Sequence, residues 1–245
     1  MSVRLRAADH SRARRRFGLR AAIAFGCALV FAVLAALVRS ASGPLVRTDR
    51  RVDQALHGYA VRHSGFTSAM RFVSDIGTSL AWLIILAPVV AWLLYRRLPK
   101  LAAFVAVTAI GSVLLNNLIK LLVGRARPHL VDPVAVAAGK SFPSGHSQAA
   151  LVGYAILVAV FLPTLPRGRR FWLVLPAAGM VLLTGFARIA LGVHFLSDVL
   201  GAYLIGTVWF IGMASAFGAW RRDEGKPAPT VTEGLEPEQG NRLTP

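Results

Sequence analysis

Long apolar runs alternate along the chain with short, strongly basic breaks. The first uninterrupted run covers about residues 21–38. A bilayer core about 30 Å thick needs about 20 apolar residues in a helix, so this run is just long enough to span. Further runs at about 76–95, 101–123, 147–162, 171–190 and 197–220 predict five more spans. Charge closes most of them: Arg96, Arg97 and Lys100 after the second, Arg167, Arg169 and Arg170 after the fourth, Arg221 and Arg222 after the sixth. The pattern predicts an all-α, polytopic membrane protein, a bundle of six transmembrane helices.

The segments outside the runs complete this organisation. Residues 1–20 form a basic arm holding Arg4, Arg6, Arg12, Arg14, Arg15, Arg16 and Arg20. RRRFG at 14–18 resembles a twin-arginine export signal. The run after it is long for a signal peptide and more spans follow, so an uncleaved first helix is expected. In the polar stretch 39–75, Val52, Ala55, Leu56 and Tyr59 fall at i, i+3, i+4 and i+7, with Arg50, Arg51, Asp53 and Gln54 off that face. A short amphipathic helix at the membrane surface fits this spacing, as does an ordinary packed loop helix. From Asp223 the tail is rich in Pro, Glu and Gly, which predicts disorder. The domain reading is therefore a cytoplasmic arm at 1–20, one membrane domain at 21–222 and a cytoplasmic tail at 223–245.

Composition agrees with the pattern. Of the 245 residues 55% are hydrophobic and 16% are charged, against about 25% charged in soluble domains. The net charge of +17 could suggest a nucleic-acid partner. The arginines instead cluster at the ends of apolar runs, where they act as topology signals, so no nucleic-acid partner is expected. With the arm in the cytoplasm, six spans return the C-terminus there. The basic loops at 96–100 and 167–170 then lie on the same side, and the expected location is the cytoplasmic (inner) cell membrane. Arg39, Arg47, Arg50, Arg51, Arg62 and Arg71 run against the rule, and Asp49, Asp53 and Asp75 offset them only in part. The single cysteine, Cys27, allows no intramolecular disulfide.

With this topology three polar clusters reach the external face: KLLVGRARP at 120–128, SFPSGHS at 141–147 and ARIALGVHFLSD at 187–198. Ionisable groups are costly in hydrocarbon, so each cluster is a functional candidate. Lys120, Arg127 and Arg188 suit a phosphate dianion, with guanidinium forks giving bidentate contacts. Ser144, Gly145 and His146 open a helix, whose unpaired amides and positive dipole end attract anions. His194 and Asp198, at i and i+4, share a helix face, so the carboxylate can fix the imidazole tautomer and leave the other nitrogen free to attack. Taken singly, each has a structural explanation: snorkelling cations, a helix cap, a hydrogen-bonded pair. Three cations on one face also disfavour a zinc site at His146, His194 and Asp198. His57, His63 and His129 lack such company and are expected at the surface or interface.

These residues resemble a known family. The type 2 phosphatidic acid phosphatases share the motifs K-x6-R-P, P-S-G-H and S-R-x5-H-x3-D. The chain matches them at Lys120, Arg127 and Pro128; at Pro143, Ser144, Gly145 and His146; and at Arg188, His194 and Asp198. The resemblance runs from about residue 76 through the sixth span. It implies an external active site that uses no metal and no other cofactor. By resemblance His194 is the nucleophile and forms a phosphohistidine, Asp198 orients it, and His146 protonates the leaving oxygen and later activates water. Lys120, Arg127, Ser144, Gly145 and Arg188 would hold the phosphoryl oxygens. One position departs: Ala187 stands where the family has serine, which removes a hydroxyl expected to donate to phosphate. The implied partner is a lipid phosphate, with polyprenyl diphosphate the first choice over phosphatidylglycerol phosphate, phosphatidic acid and phosphorylated sugar lipids. A lipid phosphotransferase using the same site, or a non-catalytic lipid-phosphate binder or transporter, are the other readings.

Overall fold

The structure, a computed structural model, describes residues 2–130 and 133–223, with side chains described between 18 and 219. The arm's side chains before residue 18 and the tail beyond 223 lie outside the described residues. Eight α-helices follow one another: α1 (Ser2–Arg39), α2 (Gly43–Arg62), α3 (Ser64–Ile76), α4 (Ser79–Tyr95), α5 (Pro99–Val123), α6 (Gly145–Phe161), α7 (Phe171–Ala190) and α8 (Leu196–Asp223). Among the described residues there is no strand. Among the described residues five helices are long and apolar enough to cross a membrane, and α3 with α4, bent by 51°, gives a sixth where the pair is counted as one span. The chain is a multi-pass α-helical membrane protein.

The second span is broken for a local reason. It was expected as one run at 76–95, but α4 begins only at Ser79. Thr78 caps it, its Oγ1 accepting the Ala81 N–H at 3.0 Å, as N-cap threonines do. Gly77 closes α3, donating to Val73 O and Ser74 O. Two caps back to back terminate one helix and start the next at a new angle. α4 has only 17 residues, so α3 supplies the rest of the crossing.

α6 stands at the centre, against α4, α5, α7 and α8, while α1 packs along α8. The main core joins Trp82 and Leu93 from α4, Phe104 and Val105 from α5, Ile156 and Val160 from α6, and Phe217 from α8. Outward residues such as Phe25, Ile84, Leu114 and Trp172 are exposed, the surface a bilayer covers. Lipid is as apolar as these side chains, so close packing rather than hydrophobic segregation holds such helices together. Gly153 shows how: a Cβ there would overlap the Trp82 indole, so its bare backbone lets α4 and α6 approach.

α2 is the amphipathic helix the spacing predicted, but it packs with its polar side inward. Its buried residues are Asp49, Asp53, His57 and Ala60. Val52 and Leu56 are half-buried, and Ala55 and Tyr59 are exposed. His57 is therefore buried, 8% exposed, and not at the surface as its lack of motif company suggested. The spacing left open a helix at the membrane surface or a packed loop helix; α2 packs, with its buried Asp49 paired to Arg125 of the loop after α5. His63 and His129 are exposed as expected.

The C-terminal ends of α5 and α7 and the N-terminal ends of α6 and α8 meet at one end of the bundle. Arg39 Nη1 donates to Leu122 O at 2.8 Å, which brings the end of α1 there too. The basic turns at 96–100 and 167–170 join the opposite helix ends. Gly153→Ala should lower stability by about 1–3 kcal/mol, the usual cost of overpacking. Gly212→Ala, with nothing within 4 Å of the added Cβ, should leave it unchanged or slightly raised; thermal unfolding of both variants in detergent measures the contrast.

Candidate active site

Asp198 lies in the first turn of α8, where a carboxylate complements the helix dipole. It is fully buried. Its Oδ2 accepts the Phe195 N–H at 2.9 Å, the backward reach of a capping box. Oδ2 also accepts from the Ser141 hydroxyl and lies 3.4 Å from His194 Nδ1. Oδ1 accepts Arg125 Nη1 at 2.6 Å. A buried carboxylate is tolerable only when its lone pairs are taken up in this way.

His194 follows the turn that ends α7. Gly192 has φ of +66° and a Cβ there would run into Leu130, so this turn requires glycine. His194 is 1% exposed. Its Nδ1 faces Asp198, which leaves Nε2 as the nitrogen with a free lone pair. Arg127 Nη1 sits 3.0 Å from Nε2 and donates to Val193 O at 2.8 Å. The rest of the Arg127 guanidinium donates to Ala138 O and Gly139 O. Burial pushes the His194 imidazole down to about 4; Asp198 opposes that shift, and Arg188 and Arg127 reinforce it. His194 is thus neutral at physiological pH, the form a nucleophile needs.

The PSGH segment starts α6. Ser144 is its N-cap, accepting from Ser147 N at 3.5 Å and lying 3.0 Å from Ser147 Oγ. The Ser144 N–H donates to Asp198 O at 3.0 Å, which ties the start of α6 to that of α8. A Cβ on Gly145 would lie 3.3 Å from Asn116 Oδ1 and 3.7 Å from Lys120 Nζ. Gly145 thus leaves room for the Asn116 amide, the tighter of the two contacts, and the Lys120 ammonium stands beside the α6 N-terminus. Asn116 is fixed by Gln148 at 2.9 Å, and Gln148 donates to Ser112, so α5 and α6 hold this approach from below.

Arg188 is 6% exposed. Its Nη1 donates to Ser74 Oγ of α3 at 2.5 Å, and its buried Nε has no hydrogen-bond partner. Such a donor costs stability unless something accepts from it, and a phosphate oxygen is the matching acceptor. His146, half-buried on α6, lies within electrostatic reach of Arg188, His194, Lys120 and Arg127. All eight residues singled out from the sequence therefore gather at one end of the bundle: three cations, a helix N-terminus, two histidines and a carboxylate. Beside them a cavity of about 460 Å³, lined in part by Arg50, Asp53, Gln54, Arg127 and His129, opens between α2 and the loop after α5. Burial pushes the Asp53 carboxyl in its wall up to about 6, with His57 opposing and Asp49 and Asp198 adding to the rise.

Sequence reasoning missed the groups behind Asp198. Arg125 Nη2 reaches Asp49 Oδ2 at 2.6 Å. Asp49 also accepts the Ser197 N–H at 3.0 Å and the Ser197 hydroxyl at 2.5 Å. Arg125 occupies an unspecified position of the first motif, and Asp49 lies far upstream on α2. A basic residue among apolar neighbours in the motif was the one available signal. Ala187 also differs from expectation: it is fully buried in an apolar cluster with Met70, Ala190, Leu191 and Val193, so its side chain belongs to the core.

A model of the PAP2 superfamily matches residues 100–222. Among curated proteins the chain is similar to phosphatidylglycerophosphatase B of Bacillus subtilis, 27% identical over 74% of this chain and 88% of that one. It is also similar to undecaprenyl-diphosphatase BcrC of the same species, 32% identical over 64% of this chain and 78% of that one. The crystal structure of a transmembrane PAP2-type phosphatidylglycerolphosphate phosphatase from Bacillus subtilis superposes with a TM-score of 0.70 at 25% identity, covering 79% of this chain and 94% of that one. With the motifs converging at one end of a shared helical scaffold, the chain belongs to the PAP2 superfamily.

Proposed function

We propose that the chain is a metal-independent lipid phosphatase that removes a terminal phosphate through a phosphohistidine on His194. The observation that carries this reading is the neutral, carboxylate-oriented His194 with its Nε2 turned toward the Arg127 guanidinium. The relatives named above are lipid phosphatases acting on a glycerophospholipid phosphate and on a polyprenyl diphosphate. Polyprenyl diphosphate is the preferred substrate here, and phosphatidylglycerol phosphate the nearest competitor.

The chemistry follows from the donors. The terminal phosphoryl group sits among Lys120, Arg127, Arg188 and the α6 N-terminus, with the unpartnered Arg188 Nε on one oxygen. Arg127 passes from Nε2 to the phosphate as it binds. The Nε2 lone pair forms the N–P bond while the P–O bond to the lipid breaks. His146, as imidazolium, gives its proton to the leaving oxygen, and Asp198 balances the cationic phosphoimidazole. Neutral His146 then takes a proton from water as the water oxygen attacks phosphorus. The N–P bond breaks, its electron pair returns to Nε2, and inorganic phosphate leaves. Fixed cations and amides stabilise the charge that spreads over the equatorial oxygens.

The site belongs on the outer side of the cytoplasmic membrane, with both termini inside. The basic turns at 96–100 and 167–170 join the helix ends away from the site, as the positive-inside rule favours. Two of the dissenting arginines have structural work at the site end: Arg39 donates to Leu122 O and Arg71 donates twice to Val134 O.

Three outcomes are expected. His194→Ala should abolish phosphate release from undecaprenyl diphosphate while the parent turns over with EDTA present; loss of parent activity that zinc restores would overturn the metal-free reading. Because His194 is neutral above about 4, its protonation should cut kcat/KM, corrected for ionisation of the substrate, only as the pH drops through the region of 4. That acid limb is separate from any change set by protonation of the His146 acid, and initial rates across acidic buffers for the parent and His146→Gln will show it. Ala187→Ser should leave KM unchanged, since this side chain lies in an apolar cluster; a fall in KM would place a phosphate contact at position 187.

A further inference from the structure

Arg125 and Asp49 have no part in the motifs or in the phosphate cradle, yet they are the most heavily bonded charged pair behind the site. The Arg125 side chain is 11% exposed and Asp49 is 2% exposed. One guanidinium spans two carboxylates: Nη1 to Asp198 Oδ1 and Nη2 to Asp49 Oδ2, both at 2.6 Å. Nη1 also lies 2.6 Å from Ser197 Oγ, and the guanidinium stacks 4.2 Å above the Phe195 ring. The Arg125 carbonyl accepts the Ser141 N–H at 2.9 Å, and the Ser141 hydroxyl goes to Asp198. Asp49 completes the loop by binding both the N–H and the hydroxyl of Ser197, one residue before Asp198.

We propose that Arg125 and Asp49 are positioning residues for the nucleophile: by forking between Asp198 and Asp49, Arg125 fixes the Asp198 carboxylate and divides its charge between itself and His194. The proposal rests on the phosphohistidine reading. Asp198 faces the Arg125 cation through Oδ1 and, through Oδ2, the imidazole that turns cationic when protonated or phosphorylated, so strengthening one contact weakens the other. Asp49 holds half of the Arg125 charge away from Asp198. Removing Asp49's charge leaves Arg125 entirely to Asp198 and starves the imidazole. Removing Arg125 gives the imidazole the whole carboxylate. The other charged groups facing His194, Arg188 on α7, Arg127 in the loop after α5 and His146 on α6, are untouched by either change.

The two variants should therefore move the enzyme in opposite directions, which a merely structural role would not do. In the pH profile of kcat, Arg125→Gln should shift the acid limb upward and Asp49→Asn should shift it downward, each by about one pH unit. At neutral pH kcat should fall about 10- to 100-fold, as for other outer partners of a working histidine, with KM little changed because the cradle is intact. Arg125→Lys can pair with one carboxylate but cannot fork. It should recover part of kcat and shift the limb the same way as Arg125→Gln by less.

The experiment measures kcat and KM across pH for the parent and these variants in detergent, with ³²P-labelled undecaprenyl diphosphate, or labelled phosphatidylglycerol phosphate if the parent prefers it. Acid-labile label on the protein is trapped in parallel. Opposite limb shifts with the loss confined to kcat support the proposal. Coincident limbs, shifts in one direction, or a loss carried by KM overturn it and leave the cluster a structural brace. If Arg125→Gln is not recovered folded, unmoved limbs in both Asp49→Asn and Arg125→Lys overturn it equally. A parent that turns over without trapping label on His194 sinks the phosphohistidine reading, and the positioning proposal falls with it. A parent that traps label beside variants with unmoved limbs sinks the positioning proposal alone.

Discussion

Everything at the working end of this molecule depends on keeping one buried carboxylate satisfied. Asp198 is fully enclosed, and an isolated ion in such surroundings would be prohibitively costly. Its donors come from three places in the chain: the loop after α5, the approach to α6 and the turn between α7 and α8. Its backbone carbonyl holds the Ser144 N–H as well. Satisfying this group is therefore the same act as assembling the site. The helix ends cannot drift apart without leaving a charge unpaired, which is why segments distant in sequence keep a common depth.

The membrane explains the position of that cluster. Polar backbone at helix ends is tolerable only where it is buried in protein or meets water, so irregular segments and ionisable side chains collect at the same level. The chain uses this for both structure and chemistry. Ser144 caps α6, and the first-turn amides of a helix suit an anion. Lys120 stands beside Gly145 in that first turn. Below the site, Asn116, Gln148 and Ser112 satisfy one another where lipid would satisfy none of them. α2 then covers this end of the bundle with Asp49, Asp53 and His57 buried, Asp49 paired to Arg125 of the loop after α5.

The sequence made the spans legible because hydropathy over about 20 residues is a strong signal, and it made the convergence of eight motif residues at one end of the bundle legible because their spacing is rigid. What it hid were relations between segments. The bend between α3 and α4 turns on two adjacent caps, Gly77 and Thr78, inside a stretch that averages as half polar, half apolar. α2 was readable as amphipathic, but periodicity cannot say which face packs inward when the partner surface is charged, so His57 was misplaced. Arg125 was invisible for a related reason: a motif records which positions recur, and this arginine's partners, Asp49 and Ser197, lie 76 and 72 residues away. At position 187 the sequence showed only that alanine lacks the hydroxyl of the family's serine, whereas the helix packs Ala187 against Met70 and Leu191.

Arg127 joins these threads. Its guanidinium donates to the carbonyls of Ala138, Gly139 and Val193 and meets Nε2 of His194. Under the proposed reading it thus occupies the region of space that the phosphorus enters. A small side chain there would leave the imidazole open to water, and a fixed cation elsewhere would have to be brought in during the reaction. If His194 is the nucleophile, as proposed, this contact keeps a donor within 3.0 Å of the attacking nitrogen. Only a group that accepts hydrogen bonds more strongly than imidazole can displace it. A phosphate dianion does so and a lipid alcohol does not, so under the proposed reading the same contact discriminates in favour of a phosphorylated headgroup.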